Sequence, residues 1–149
     1  MATAKTAALR YLKIRPRSVA ELREKLEGKG FSAEEIGVTV SDLTATGLLD
    51  DRAFTKSWIN YRLARPFGFR RIILELKNKG IDPEIIDQAV AEARENVSPE
   101  AAALDLAQRR WQRVPAGVEL LKKKKRVLDF LLRRGFEPQI AIKVLKKLK

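Results

Sequence analysis

The chain contains neither cysteine nor histidine among its 149 residues. That double absence excludes disulfides, thiolate nucleophiles, imidazole bases and zinc sites of the usual kind. Long apolar runs are missing too, none approaching the roughly 20 residues that cross a bilayer. Glycine is too scattered for a phosphate-cradling loop, and no G-x-x-x-x-G-K-[ST] occurs. Acidic residues are scarce at both ends: the first is Glu21, and only Glu119, Asp129 and Glu137 follow residue 108.

These absences leave little for catalysis. Carboxylate pairs and Ser or Lys nucleophiles are the remaining options. Asp50-Asp51 is the one adjacent acidic pair apart from Glu34-Glu35. Its place at a turn and helix start accounts for it, with Asp51 expected to cap the helix that follows; a metal-dependent nuclease would need further carboxylates beside it. The expectation is a protein that is not an enzyme and holds no metal or cofactor.

What the chain has in excess is positive charge, unevenly placed. Charged residues make up 34% and apolar residues 45%, a soluble and foldable balance. The net charge is +12, yet residues 109–149 carry 14 Lys and Arg against three acids, a local +11, while residues 1–108 carry 17 against 16. A one-sided basic segment attracts polyanions, nucleic acid first and anionic lipid second. Lys122, Lys123, Lys124, Lys125 and Arg126, with Arg133 and Arg134, point to such contact. Lys143, Lys146, Lys147 and Lys149 are served equally well by a solvated helix end whose dipole favours cations. The high net charge also favours a monomer.

The chain also repeats. Shifted by 50 positions, Tyr11 falls on Tyr61, Arg15-Pro16 on Arg65-Pro66, Leu22 on Ile72, Leu26 on Leu76, Lys29-Gly30-Phe31 on Lys79-Gly80-Ile81, Ile36 on Ile86 and Val40 on Val90. A looser third copy places Arg134-Gly135-Phe136 on the same turn, with a surplus around Val114 to Lys125 that reads as a loop or an extended helix end. The Ala- and Lys/Arg-rich start resembles a transit peptide, but Tyr11 and Arg15-Pro16 make it part of the first repeat.

Each repeat reads as three helices, giving an all-α chain of three tandem helix-turn-helix-like units over 1–48, 49–96 and 97–149. In the first, a stripe beginning Leu9 and Leu12 stops at Arg15-Pro16. Ser18 and Glu21 make a capping box, Leu22 and Leu26 share a face, and Gly30 supplies the left-handed end. Ser32 and Glu35 form a second box ahead of Ile36, Val40 and Leu43. Asp82-Pro83, Ser98-Pro99 and, more weakly, Glu137-Pro138 are further helix starts. Phe54, Trp58 and Tyr61, at spacings of four and three, read as core rather than as a base-stacking platform. Phe67 and Phe69 flank Gly68 beside Arg70 and Arg71, where an exposed contact loop is an alternative.

Basic residues recur at matched places: Arg15 with Arg65, and Lys29 with Lys79 and Arg134. Stacked repeats would bring such groups along one surface, predicting sequence-tolerant, salt-dependent association with single- and double-stranded DNA. The competing reading is a helix-turn-helix regulator that reads duplex bases. The third helices of the first two units begin Ser32-Ala33-Glu34-Glu35 and Asp82-Pro83-Glu84, acidic starts that would repel phosphate. Unit three, beginning Glu137-Pro138-Gln139, is less clearly excluded.

The string Ala8-Leu9-Arg10-Tyr11-Leu12, then Arg15-Pro16-Arg17-Ser18, Glu21-Leu22 and Lys29-Gly30-Phe31, resembles the opening of the RecX family, bacterial regulators of the RecA recombinase. Gly47-Leu48-Leu49-Asp50-Asp51 with Phe54 matches that family's most recognisable stretch. Gly68, Arg71-Ile72, Glu75-Leu76 and Lys79-Gly80-Ile81 continue at its spacing. The resemblance is strong from residue 7 to about 93 and looser beyond. It implies a cytoplasmic, non-enzymatic protein of three three-helix repeats in a curved, elongated body. Such a protein binds RecA filaments on single-stranded DNA. It modulates their growth, ATP hydrolysis, strand exchange and LexA cleavage, usually downward, and so touches DNA repair, homologous recombination and the SOS response. With the charge pattern, the contact residues expected are Arg15, Arg65, Arg70, Arg71, Lys79, Arg109, Arg110, Arg113, Lys122, Lys123, Lys124, Lys125, Arg126, Arg133 and Arg134.

Overall fold

In a computed structural model that describes residues 3–64 and 67–148, the chain forms nine α-helices, with no strand among the described residues. They are α1 (Ala4–Ile14), α2 (Val19–Gly28), α3 (Ala33–Ala45), α4 (Asp51–Leu63), α5 (Phe69–Asn78), α6 (Pro83–Asn96), α7 (Pro99–Arg113), α8 (Leu120–Arg133) and α9 (Pro138–Leu145). No helix is long and apolar enough to cross a membrane among the described residues.

Local chemistry explains the boundaries. Helix α1 ends at Arg15, driven to φ −162° and ψ 160° by the proline that follows. Ser18 and Glu21 complete their capping box, Ser18 Oγ accepting from the Glu21 amide at 3.1 Å and Glu21 Oε1 from the Ser18 amide at 3.2 Å. Of the Ser32–Glu35 box, the forward bond from the Glu35 amide to Ser32 Oγ is made at 3.1 Å. Asp82 and Ser98 accept from the Glu84 and Ala101 amides. Glu137 makes no capping bond and instead receives Arg94 at 3.0 Å.

The helix before each repeat's turn ends alike. Gly30, Gly80 and Gly135 have φ of +89°, +76° and +92°. The next amide, of Phe31, Ile81 or Phe136, donates back to Leu26, Leu76 or Leu131 at 3.2–3.3 Å. This doubly bonded left-handed end satisfies carbonyls that a helix terminus otherwise leaves open.

The chain divides into two compact units, one running to Trp58 with Leu76–Ala89, the other comprising Ile59–Glu75 and the chain from Val90 onward. In the first, Ala8, Leu22, Leu26, Ile36, Val40, Leu43 and Leu49 are buried together. The face of α1 turned inward is Ala4 and Ala8; of the expected stripe, Leu12 packs half-buried against this core but Leu9 is 40% exposed. In the second, Ala103, Ala107 and Trp111 of α7 close on Val127, Leu131, Phe136, Ala141 and Val144.

The aromatic stripe of α4 is only partly core. Phe54 is buried and stacks on half-buried Trp58, but Tyr61 is 50% exposed. Phe69 and Gly68 are buried and Phe67 half-buried, so this segment is a packed joint, not an exposed loop. The surplus of the third repeat becomes the link at 114–119, turned by Gly117 at φ +92°, and the start of α8.

Candidate polyanion-binding surface

In the first unit the basic residues converge on an acid. Arg15 and Lys79 both reach Glu21 Oε2, at 2.8 and 3.4 Å. Burial pushes the Glu21 carboxyl up, but the Arg15 and Ser18 hydrogen bonds and the Lys79 charge outweigh it and hold the group below its ordinary range. The Lys79 ammonium also lies 4.4 Å from the Trp58 ring centre. Ser18 Oγ donates to the Lys79 carbonyl at 2.7 Å, and a Cβ on Gly80 would collide with that of Ala20. Arg15 and Lys79 thus help fasten the start of α2 to the end of α5. Arg65 lies outside the described residues.

The capping role expected of Asp51 belongs to its neighbour. Asp50 Oδ1 accepts from the Arg52 and Ala53 amides at 2.9 and 3.2 Å, whereas Asp51 Oδ1 accepts from the Val19 amide at 2.9 Å. Burial, with the charges of Asp50 and Glu21, raises the Asp51 pKa against that hydrogen bond. Both carboxylates are occupied by backbone donors, and no group of three metal-binding side chains exists among the described residues.

In the second unit the same type of joint recurs between the start of α5 and the end of α8. The Gly68 amide donates to the Arg134 carbonyl at 2.7 Å and the Arg70 amide to the Gly135 carbonyl at 3.1 Å. A Cβ on Gly68 would strike the backbone of Gly135 and Phe136, and one on Gly135 would strike Arg71. Amides that open one helix are satisfied by carbonyls that close another, aligning the two dipoles head to tail.

This joint gathers aromatic rings and arginines. The guanidinium carbons of Arg62, Arg71 and Arg134 lie 4.2, 4.6 and 5.1 Å from the Phe67 ring centre. Those of Arg110 and Arg134 lie 4.8 and 5.2 Å from the Phe130 ring centre. Arg71, Arg110 and Arg134 are half-buried, while Arg70 and Arg133 are exposed. Arg62, Phe67 and Phe130 were not among the expected contact residues. The aromatic rings beside the arginines were the available signal, but nothing in the spacing indicates that Arg134 reaches the rings of both residue 67 and residue 130.

The remaining expected residues lie on α7 and α8. Arg113 is exposed, and Arg109 pairs only with Asp105, one turn earlier on the same exposed face, at 3.3 Å. On α8, Lys122, Lys124, Lys125 and Arg126 are exposed, but Lys123 folds back to place its ammonium 4.1 Å from the Trp111 ring centre. The first turn of α8 contains no acid, and its Glu119 cap makes no side-chain bond. Cations there oppose the helix dipole, at a cost of a few tenths of a kcal/mol or more each at low salt.

The family comparisons follow this repeat architecture. The model of the first three-helix domain of RecX matches residues 4–43, that of the second matches 50–90 and that of the third matches 99–145. A "Regulatory protein RecX" of Legionella pneumophila (strain Corby) is 32% identical over 154 residues, spanning 100% of this chain and 97% of the relative. The protein of the same name from Mycolicibacterium smegmatis is 33% identical, covering 95% of this chain and 77% of the relative. The crystal structure of RecX from Lactobacillus salivarius superposes with a TM-score of 0.86 over 97% of this chain and 94% of that one, at 23% identity, a likeness of fold. With three domain models matched in order and full-length relatives at this identity, the chain belongs to the RecX family of regulatory proteins.

Proposed function

We propose that this protein regulates a RecA recombinase by binding its filament on single-stranded DNA, and that its usual effect is to restrain filament growth, ATP hydrolysis, strand exchange and LexA cleavage. The observation that carries the reading is the ordered match of all three repeats to the RecX domains. The charge pattern supports a direct contact with nucleic acid, because phosphate contacts by Lys and Arg supply affinity without reading sequence. Arg70, Arg109, Arg113, Lys122, Lys124, Lys125, Arg126 and Arg133 are the exposed donors on this reading. The protein acts as a monomer in the cytoplasm, by binding and without chemistry of its own.

A base-reading regulator is the weaker alternative. Helices α3 and α6 open on Glu34-Glu35 and Glu84, and Glu137, at the head of α9, is bonded to Arg94. None of these ends offers the Arg, Asn or Gln that reads base edges at the start of a recognition helix, apart from Gln139.

The test is RecA's single-stranded-DNA-dependent ATP hydrolysis, titrated with this protein from far below to equal stoichiometry. Loss of hydrolysis at amounts too small to sequester the DNA is expected. Hydrolysis that persists until the DNA is itself titrated away would sink the reading and leave a basic DNA-binding repeat protein.

A further inference from the structure

We propose that the arginines lying against the Phe67 and Phe130 rings form a preorganised receptor for a phosphodiester group of a nucleic-acid backbone. This deepens the DNA-contact part of the function proposed above and rests on it.

The cluster holds uncompensated charge. Arg62 is bound to Glu75 by two hydrogen bonds, its Nε donating to Oε1 at 2.8 Å and its second amino group to Oε2. Arg71, Arg110 and Arg134 form no ion pair among the described residues. Arg71 has one long bond, at 3.4 Å, to the Arg133 carbonyl. Arg134 lies against both rings, with Arg71 at Phe67 and Arg110 at Phe130, so three half-buried cations gather about the same residue, and contact with an aromatic ring offsets their repulsion only in part. An anion placed among them removes the repulsion.

The chemistry of the arginine fork selects the anion. A guanidinium lying over a ring turns its face to the ring and keeps its in-plane N–H edge for acceptors. Stacking also fixes the side chain, so little rotamer freedom remains to be lost on binding. A planar carboxylate is filled by one fork. The tetrahedral oxygens of a phosphate accept from several donors at once, which suits arginines converging from α5, α7 and the end of α8.

The test uses the whole chain. Binding to a fluorescent oligothymidylate is measured by anisotropy for wild type, for the charge-conserving double variant Arg71→Lys with Arg134→Lys, for Phe67→Leu, and for Arg10→Lys with Arg23→Lys as a comparator at exposed arginines of the first unit. Circular dichroism confirms that each is folded. In parallel, arginine Nε–H resonances are followed on adding oligothymidylate, inorganic phosphate or polyglutamate.

The expected result is a loss of affinity on the order of tenfold for Arg71→Lys with Arg134→Lys, as for a lost charge-assisted hydrogen bond. Phe67→Leu should be weakened as well, with the comparator unchanged and the Arg71, Arg110 and Arg134 signals moved by oligothymidylate more than by equal inorganic phosphate. Wild-type affinity in the lysine variant, or a response to polyglutamate or free phosphate but not to the oligomer, overturns the receptor and leaves DNA binding standing. Failure of the wild-type chain to bind the oligomer overturns both.

Discussion

Asp51 accepts from the Val19 amide, 32 residues away, while burial and two nearby carboxylates push its pKa up. Asn at this position keeps an acceptor and sheds the charge; Ala keeps neither. Asp51→Asn is therefore expected to unfold at the wild-type temperature or slightly above, whereas Asp51→Ala loses about 1–3 kcal/mol, measured by thermal and urea denaturation. Glu21 is displaced in the opposite direction. A carboxylate depressed by folding contributes stability above its unfolded value near 4.5 and loses it as pH falls through the folded value. The stability gap between wild type and Glu21→Gln should thus be widest near neutrality and shrink on acidification below about pH 4.5, followed by melting temperature. The Ser18–Glu21 box was legible because its partners are three residues apart. The Asp51 bond was not, because it joins helices of different repeats, and local spacing favoured Asp51 over Asp50 as the cap.

Among the elements, the left-handed helix ends are the most legible feature, since Gly30, Gly80 and Gly135 recur in register and each adopts positive φ. Legible spacing does not reveal that two of these turns are also points of close approach. A Cβ on Gly30 meets nothing within 4 Å, while one on Gly135 meets the backbone and side chain of Arg71. Gly30→Ala should therefore cost only the conformational penalty, about 1 kcal/mol. Gly135→Ala should cost clearly more, and comparing the two melting temperatures checks the joint directly. Helical periodicity likewise identified α1 and α4 but misassigned Leu9 and Tyr61. A period of 3.6 marks an apolar face without stating how far a neighbour covers it.

For the molecule as a whole, the relevant quantity is where charge is left unpaired. The sequence located the excess after residue 108, and the structure sorts it: Lys143 and Lys147 are spent on Glu100 at 3.1 and 2.7 Å, and Lys123 on Trp111, whereas Lys122, Lys124 and Lys125 stand exposed near the start of α8. Changing those three to Glu should lower the log–log salt slope of single-strand binding by about 2, at roughly 0.7 per lost phosphate contact. It should also steady α8 by placing acids near its N-terminus. Weaker binding in a less stable protein would point instead to damage to the fold.

The joint between successive middle helices carries a consequence for how such chains grow. It is directional, the start of α2 set on the turn at Gly80 and the start of α5 on the turn at Gly135. A contact that pairs two unlike surfaces leaves one surface of each kind unused wherever the series is open. The turn at Gly30 is the unfilled half of the same pattern, with open space where its counterparts meet a helix. A series built this way has two chemically different ends, and duplication can lengthen it from the Gly30 side without inventing a new interface.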